Sequence, residues 1–379
     1  MVVVLFGITF IYIILIGIFI IGFDTIEVFD DESLNEVSKF SIIIPFRNEA
    51  DNLPDLLQSI YNLDYQKKLF EILLIDDDSE DNSVEIINTF INKQSFDSTR
   101  TNIQIFKNNR TSDSPKKDAI ITAIHNAKNE WIITTDADCI VPIMWLKTFD
   151  LFIRKNNPKM IVAPVTYSID KTLFQNFQLL DFLSLQSATI AGFGIKNPFL
   201  CNGANLAYKK DLFDILNGFE GNTKIASGDD IFLMEKVLKT YPKKVMYLKS
   251  KNVLVYTKPQ TTVADLIQQR LRWAAKTASY NNTFGKLVGI IVLFMNAIII
   301  IIALLTIIGA LKLELLILIF VLKFFFDLFL IYKSAHFFNQ HIVLKHYVLS
   351  YLLYPVFSVY IAVYSMFFGF KWKERRFNK

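Results

Sequence analysis

The sequence predicts an α/β protein with a mostly parallel, Rossmann-like sheet, helices on both faces of it, and transmembrane helices at both ends of the chain. Short apolar, β-branched runs alternate with segments of helical periodicity through the middle of the chain, as βαβ units do. Long uncharged apolar runs lie near both termini, and 52% of the 379 residues are apolar. That fraction, with its concentration at the two ends, indicates a membrane protein.

The alternating elements are read directly from the apolar runs. The predicted strands are 41–45, 72–75, 103–106, 131–135 and 160–163, and the predicted helices among them are 53–62, 83–92 and 116–126. Ligands of such sheets bind at the carboxyl ends of the strands. Candidate functional residues are therefore expected directly after the strands.

The N-terminal run, residues 2–23, carries no charge and is long enough to cross a hydrocarbon core of about 30 Å. A cleaved signal peptide is the alternative, but the run lacks a basic n-region, exceeds about 15 residues and offers no small-x-small cleavage site. We expect a transmembrane helix over residues 1–23, followed by an acidic linker over 24–38.

Three further apolar stretches, 287–311, 313–332 and 347–370, predict a bundle of two to three spans within residues 284–370. The middle stretch contains Lys323 and Asp327, which stand four residues apart and can pair on one helical face. Four spans in total would put both termini outside, whereas the basic tail 371–379 favours a cytosolic C-terminus. A re-entrant or interfacial middle stretch would remove this conflict.

Residues 174–190 have helical spacing and suit a helix at the membrane interface, against the later bundle, or in a plain core. The net charge of +4 is too small to suggest a nucleic-acid partner. Only Cys139 and Cys201 occur, without C-x-x-C spacing, so a disulfide scaffold or zinc knuckle is not expected.

Three acidic clusters contain most of the candidate catalytic and binding carboxylates. They are Asp76-Asp77-Asp78-Ser79, Asp136-Ala137-Asp138 and Gly228-Asp229-Asp230. Each has a plain structural reading, as a solvated turn or a helix cap. Adjacent carboxylates repel, however, and so favour a base edge, a cation or a helix N-terminus as partner. If the strand before Asp136 continues through Asp138, the two carboxylates share a face and can serve one metal-dependent site.

A fourth cluster, Gln269-Arg270-Leu271-Arg272-Trp273, lies in a helical pattern over 262–275. Gln269, Arg272 and Trp273 stand on one face, where a guanidinium can hold a pyrophosphate and an indole can stack on a sugar ring. A basic juxtamembrane helix in contact with lipid headgroups is the alternative.

Together these motifs resemble the family-2 glycosyltransferases, in particular the membrane-embedded branch of cellulose, chitin, hyaluronan and poly-N-acetylglucosamine synthases. The resembling segments are 41–50, 73–83, 115–119, 136–138, 202–205, 228–230 and 269–273. Asp78 stands where the family usually has glycine. The resemblance implies a GT-A-type fold in residues 39–283, a cytosolic domain with interfacial helices, and inversion at the sugar.

The resemblance also implies residue roles. It assigns the nucleotide-sugar donor to Pro45, Glu49, Asp77, Lys117, Asp136, Asp138 and Arg272. It assigns the acceptor to Gly203, Asn205, Gln269 and Trp273. Asp230 is expected to be the general base, with Asp229 beside it, and Asp138 to hold Mg²⁺ or Mn²⁺.

We therefore expect transfer of a sugar, from UDP-sugar in the first place, to a lipid-linked or saccharide acceptor in the bacterial inner membrane. A processive synthase that secretes its polymer is the alternative, favoured by the Gln-x-x-Arg-Trp pattern, whereas the small bundle favours single transfers. A nucleotidyltransferase would need a glycine-rich phosphate loop that the first strand lacks. A scaffold or transporter would not require acidic clusters at successive strand ends.

Overall fold

The computed structural model describes residues 2–30, 36–94, 102–169, 172–223, 228–277, 281–373 and 375–377. It divides into two compact units. We call residues 27–168 and 201–258 the sheet unit, and residues 1–26, 169–200 and 259–379 the helical unit. Each is described by itself.

Labels run in chain order through both units. The strands are β1 (Phe40–Phe46), β2 (Phe70–Asp76), β3 (Asn102–Lys107), β4 (Trp131–Thr134), β5 (Met160–Val162), β6 (Val165–Tyr167), β7 (Leu206–Lys209), β8 (Val245–Tyr247), β9 (Val255–Thr257), β10 (Phe370–Trp372) and β11 (Arg375–Phe377). The helices are α1 (Val2–Thr25), α2 (Leu53–Tyr61), α3 (Ser83–Gln94), α4 (Pro115–Asn126), α5 (Trp145–Asn156), α6 (Leu173–Gly194), α7 (Lys210–Ile215), α8 (Asp229–Thr240), α9 (Val263–Thr277), α10 (Thr283–Ile307), α11 (Leu313–Phe337) and α12 (Tyr347–Phe367).

The sheet unit is built on a sheet whose described strands follow the order β3-β2-β1-β4-β7-β5-β8. Strands β3, β2, β1 and β4 are parallel neighbours, which confirms the mostly parallel sheet. Strand β7 runs antiparallel to both β4 and β5, a reversal that the apolar pattern did not reveal. Strands β1 and β2 are apolar along almost their whole length because helices cover both faces of such a sheet.

A second, two-stranded sheet pairs β6 with β9 in parallel. An isolated bridge between Ile140 and Tyr256 joins the end of β9 to the segment after β4. This small sheet brings Thr257 beside Asp138, a contact that matters for the site.

The helical unit contains helices α1, α6 and α9 to α12 and the hairpin of β10 and β11. Among the described residues, four helical stretches are long and apolar enough to cross a membrane: Val2–Thr25, Thr283–Ile307, Leu313–Phe337 and His341–Phe367. Helix α6 packs on α1 and α11, so of the three settings expected for residues 174–190 it occupies the one against the bundle. Helices α6 and α9, grouped by sequence with the catalytic domain, cluster here with the membrane helices.

Lys323 and Asp327 of the middle apolar stretch are paired, as expected. Lys323 Nζ lies 2.6 Å from Asp327 Oδ2, and the hydroxyl of Tyr12 in α1 donates to Asp327 Oδ1 at 2.6 Å. The ammonium group also faces the ring of Tyr351 at 4.8 Å from its centroid. The buried charge of Lys323 is tolerated in this apolar bundle because Asp327, its partner of opposite charge, is within contact distance.

Candidate active site

The acidic clusters of the sheet unit follow strands that run in the same direction. Asp77 follows β2, and Asp136 and Asp138 follow β4. Since β2, β1 and β4 are parallel neighbours, their carboxyl ends lie at one edge of the sheet. Asp229 and Asp230 open helix α8 and reach this edge through contacts described below.

Asp77 is buried and held by two residues that follow β3. Its Oδ1 accepts hydrogen bonds from Asn108 Nδ2 at 2.7 Å and from Arg110 Nε at 2.6 Å. Asp78 has a positive φ of 70°, a left-handed conformation in which glycine is favoured. The usual glycine of the family therefore corresponds to a backbone requirement that Asp78 meets at some cost.

Arg110 was not anticipated from the sequence. The available signal was its place three residues beyond β3, at the edge where the strand ends converge.

Pro45 and Glu49 flank the end of β1. Pro45 lies within the strand opposite Ile75 of β2, and the backbone N–H of Glu49 donates to Ser83 Oγ at 2.9 Å. The Glu49 carboxylate accepts from Asn52 Nδ2 at 2.6 Å. These bonds fix the loop after β1 beside the loop after β2.

Two adjacent lysines of α4 point to different partners. Lys116 Nζ lies 2.6 Å from Asp136 Oδ1 and 3.8 Å from Asp229 Oδ2. Lys117, the lysine selected from the sequence, is buried and donates instead to the backbone oxygen of Asn222 at 2.7 Å. Successive helical residues point about 100° apart, so the pair Lys-Lys alone could not show which one faces the carboxylates.

Lys116 joins the carboxylates of two elements. Burial opposes its charged form, but Asp136, Asp229 and Asp230 outweigh that effect and raise the pKa of Lys116 well above its usual value. It is therefore a permanent cation that links the end of β4 to the start of α8.

The condition under which Asp136 and Asp138 would share a face, that extended backbone continues through Asp138, is not met. Strand β4 ends at Thr134, and the N–H of Cys139 donates to Asp136 O at 3.2 Å, which closes a turn. The two carboxylates consequently have different partners: Asp136 contacts Lys116, whereas Asp138 Oδ2 accepts from Thr257 Oγ1 at 3.1 Å. Burial, with the nearby charges of Asp136 and Glu49, raises the pKa of Asp138 to about 6.

The loop before β7 holds Asp230. The N–H of Gly203 donates to Asp230 Oδ2 at 3.1 Å, and the N–H of Ile231 donates to Oδ1 at 2.8 Å. A Cβ at position 203 would lie only 3.2 Å from Asp229 Oδ2, a tight contact that glycine avoids.

Asn205 is buried, and its side-chain bonds go to the protein. Its Nδ2 donates to Pro164 O at 2.8 Å and to Val253 O at 2.7 Å, and its Oδ1 accepts from Trp145 Nε1 at 2.9 Å. These bonds tie the loop to β5, α5 and the segment before β9. The acceptor role expected for Asn205 remains a prediction that this geometry does not favour.

The Gln269–Trp273 motif lies in α9, in the helical unit. Arg270 makes buried contacts: its Nε donates to Asp181 Oδ2 of α6 at 2.7 Å, and its guanidinium stacks at 4.2 Å from the centroid of Trp273. It also hydrogen-bonds Gln269. Arg270 thus packs between the two motif residues expected to contact the acceptor, while Arg272 is half-buried.

Asp138 is the residue expected to bind a metal ion. In the described part of the chain, no group of three or more histidine, cysteine, aspartate and glutamate side chains is arranged to hold a metal ion. Mg²⁺, however, usually takes one or two carboxylates and completes its shell with water and substrate phosphates. Asp138 fits that pattern, because it is half-buried near other carboxylates and a cation would offset their mutual repulsion.

Matches to two protein-family descriptions define the class of protein. Residues 41–216 match the family described as "Glycosyl transferase family 2", and residues 131–370 match "Glycosyl transferase family group 2". The second match covers more than half of the chain. The chain belongs to this glycosyltransferase family.

Among curated proteins, the chain is similar to the poly(ribitol-phosphate) beta-N-acetylglucosaminyltransferase TarS of Staphylococcus aureus, with 27% identity over 124 residues. It is also similar to the poly-beta-1,6-N-acetyl-D-glucosamine synthase of Staphylococcus epidermidis, with 29% identity over 129 residues. Each match covers 33% of this chain, but only 20% and 27% of the respective relatives.

Among solved structures, a mannosyltransferase from Pyrobaculum calidifontis in complex with GDP-Man and Mn²⁺ has a TM-score of 0.55 and 15% sequence identity. The alignment covers 92% of this chain and 96% of that one. At this identity the likeness concerns the fold, and it agrees with the GT-A-type sheet expected from the sequence.

Proposed function

We propose that this protein is an inverting, metal-dependent glycosyltransferase that moves a sugar from a nucleotide diphosphate, first of all UDP, to an acceptor hydroxyl. The observation that carries the proposal is the grouping of Asp136, Asp229 and Asp230 around Lys116, beside a half-buried Asp138 whose pKa is raised. A surplus of carboxylates at the carboxyl edge of a parallel sheet suits a cation and a phosphorylated ligand.

The donor side is proposed from the same edge. Asp77, oriented by Asn108 and Arg110, would accept an N–H of the nucleobase, with Pro45 and Glu49 flanking it. Asp136 and Lys116 would lie towards the ribose and the diphosphate, and Asp138 would hold Mg²⁺ or Mn²⁺. The bound ion would supply positive charge to the diphosphate as it departs.

Asp230 would act as the general base. Its two oxygens accept hydrogen bonds from backbone N–H groups, which would hold the carboxylate in place while it takes the proton of the acceptor hydroxyl. The acceptor oxygen then forms the new bond to the anomeric carbon as the bond to the phosphate oxygen breaks, which inverts that carbon. Gln269, Arg272 and Trp273 of α9 would contact the acceptor and the leaving group.

The acceptor is proposed to be lipid-linked or saccharide, in synthesis of the cell envelope at the bacterial inner membrane, with the sheet unit in the cytosol. The four candidate membrane helices support the location, and the bacterial relatives named above support the class of product. A processive synthase is the second candidate, favoured by the Gln-x-x-Arg-Trp motif and by the likeness to a polymer synthase.

The test is release of nucleoside diphosphate by detergent-solubilised protein, supplied with bacterial lipid extract and a panel of UDP-, GDP- and dTDP-sugars, with and without Mg²⁺ or Mn²⁺. We expect metal-dependent turnover with one donor, lost in Asp138→Ala and Asp230→Asn. Glu130→Gln is the matched control, because this exposed carboxylate lies just before β4, at the opposite end of the strand from Asp136. Equal activity in all four proteins, or none with any donor, would contradict the proposal.

A further inference from the structure

The end of strand β9 lies against the segment that follows β4. The N–H of Ile140 donates to Tyr256 O at 2.8 Å, and the N–H of Tyr256 donates back to Ile140 O at 3.0 Å. On its other side, β9 pairs in parallel with β6, where Tyr167 lies opposite Thr257. The backbone of β9 is therefore held from both sides, and this pairing sets the position of Thr257.

Side chains alternate between the two faces of this strand. Val255 is buried and Tyr256 is exposed, so Thr257 points to the same face as Val255. On that face its hydroxyl donates to Asp138 Oδ2 at 3.1 Å. The thiol of Cys139 donates to the other oxygen, Oδ1, at 3.6 Å. Each oxygen of the Asp138 carboxylate thus accepts a hydrogen bond from a different side chain.

These bonds hold Asp138 against the repulsion of its neighbours. The charges of Asp136 and Glu49 both act on it. The last torsion of an aspartate side chain is broad, so repulsion alone would favour rotation of the carboxylate away from the other two. The hydroxyl of Thr257 opposes this rotation, because it accompanies one position of Oδ2 only.

The next residue of the chain acts on the second of these carboxylates. Lys258 Nζ donates to Asn52 Oδ1 at 2.7 Å, and Asn52 Nδ2 donates to Glu49 Oε2 at 2.6 Å. Lys258 is exposed whereas Thr257 is half-buried, so water competes more strongly for the lysine bond. The end of β9 is therefore connected to the loops after β1 and β4, and its stronger connection is the one to Asp138.

The two bonds leave Asp138 able to accept a cation. An ionised carboxylate has about four acceptor positions on its two oxygens, and the hydroxyl and the thiol use one on each oxygen. Carboxylates that bind metal ions are themselves commonly held by hydrogen-bond donors that do not touch the metal. The surroundings of Asp138 have this form.

We propose that Thr257 is a positioning residue, whose hydroxyl orients the Asp138 carboxylate for a divalent cation. The inference rests on the proposed function, which gives the cation to Asp138. Thr257 acts through Asp138 and does not itself bind the ion. It was not anticipated from the sequence, because 119 positions separate the two residues.

The test is binding of Mn²⁺ alone to the purified, detergent-solubilised protein, measured from the electron paramagnetic resonance signal of the free ion. Thr257→Val and Thr257→Ala both remove the hydroxyl, and Thr257→Ser retains it. Loss of an orienting bond of this kind costs about tenfold to a hundredfold in metal affinity. We therefore expect Thr257→Val and Thr257→Ala to bind Mn²⁺ at least about tenfold more weakly, and Thr257→Ser to bind it as the unmodified chain does.

Two further variants complete the experiment. Thr148→Val is the matched control, because the hydroxyl of Thr148 donates to Met144 O within α5 at 2.9 Å, and its Mn²⁺ affinity should be unchanged. Asp138→Ala measures the Mn²⁺ that binds elsewhere on the protein.

The outcomes separate this inference from the proposed function. Unchanged affinity in Thr257→Val and Thr257→Ala, with binding lost in Asp138→Ala, would overturn the inference and leave the metal role of Asp138 standing. An equal loss in Thr257→Ser would overturn it too, because the hydroxyl would then not be the group that matters. Mn²⁺ binding by Asp138→Ala as tight as that of the unmodified chain would overturn the metal role, and the inference with it. None of these results depends on turnover, so the assay for transferase activity is judged separately.

Discussion

Two lysine–aspartate pairs with the same 2.6 Å separation lie in different units and have opposite surroundings. In the helical unit, Lys323 and Asp327 are completed by the hydroxyl of Tyr12 and by the ring of Tyr351. In the sheet unit, Lys116 contacts Asp136 while Asp229 and Asp230 add further negative charge. We call the first group the closed pair, because its two charges neutralise each other. We call the second the open group, because it has more carboxylates than its lysine can neutralise.

The difference indicates what each group is for. The closed pair stabilises the packing of α1 on α11, and its charges already neutralise each other without a ligand. An acidic surplus is unfavourable unless a positive charge joins it. Asp138 lies beside this group, and burial together with the charges of Asp136 and Glu49 raises its pKa. The comparison therefore supports a structural role for Lys323 and Asp327, and it supports the proposed ligand-binding role for Lys116 and Asp136.

The largest expected effect is on Asp230→Asn. A general base contributes about 10² to 10⁴ in rate, so turnover should fall by that factor while donor binding persists. The measurement is single-turnover transfer with equilibrium binding of the donor nucleotide alongside. Transfer at the unmodified rate would remove Asp230 from the mechanism.

Breaking the closed pair should act on stability instead. Asp327→Asn leaves the Lys323 ammonium buried without its counter-charge, at a cost of about 3–5 kcal/mol in the free energy of unfolding. Thermal unfolding in detergent measures the change. The double variant Lys323→Met, Asp327→Asn should recover most of the loss, and a double variant no more stable than the single one would refute the closed-pair interpretation.

Lys116→Gln tests the open group. Hydrogen bonds to charged groups contribute about 1.5–3 kcal/mol, so we expect turnover to fall by about tenfold to a hundredfold. Loss of the cation also leaves the neighbouring carboxylates to repel one another, so the unfolding temperature should fall as well. Lys117→Met is the neighbouring control. Its buried stem packs near the rings of Phe219 and Phe232, so this variant should change the unfolding temperature more than the turnover. The reverse pattern would show that Lys117 is the functional lysine.

The smallest effect is expected for Asp78→Gly. Relief of the left-handed backbone should raise the free energy of unfolding by up to about 1 kcal/mol, because the left-handed conformation costs about 1–2 kcal/mol outside glycine and glycine itself loses more chain entropy. The exposed contacts of Asp78 with Lys107 and Arg110 add little. Chemical denaturation measures the difference, and a destabilised variant would mean that those contacts outweigh the strain.

The sequence by itself determined the order of β1 to β5 with the helices α2 to α4 among them, the long apolar helices, and the acidic clusters after the strands. These features depend on local periodicity and on the direction of parallel strands, so they are visible in the residues. The pairing of Lys323 with Asp327 was accessible for the same reason, since residues four apart share a helical face.

Only the tertiary structure decided which of two adjacent side chains faces the site and which distant segments meet. Lys116 rather than Lys117, Arg110 beside Asp77, Arg270 beneath Trp273 and Thr257 beside Asp138 all depend on side-chain direction or on contacts between residues far apart in the chain. The reversal of β7 and the return of the hairpin to α9 are likewise long-range pairings. Such contacts form because the folded core fixes the backbone. The local sequence does not indicate which distant residue will lie beside a given side chain.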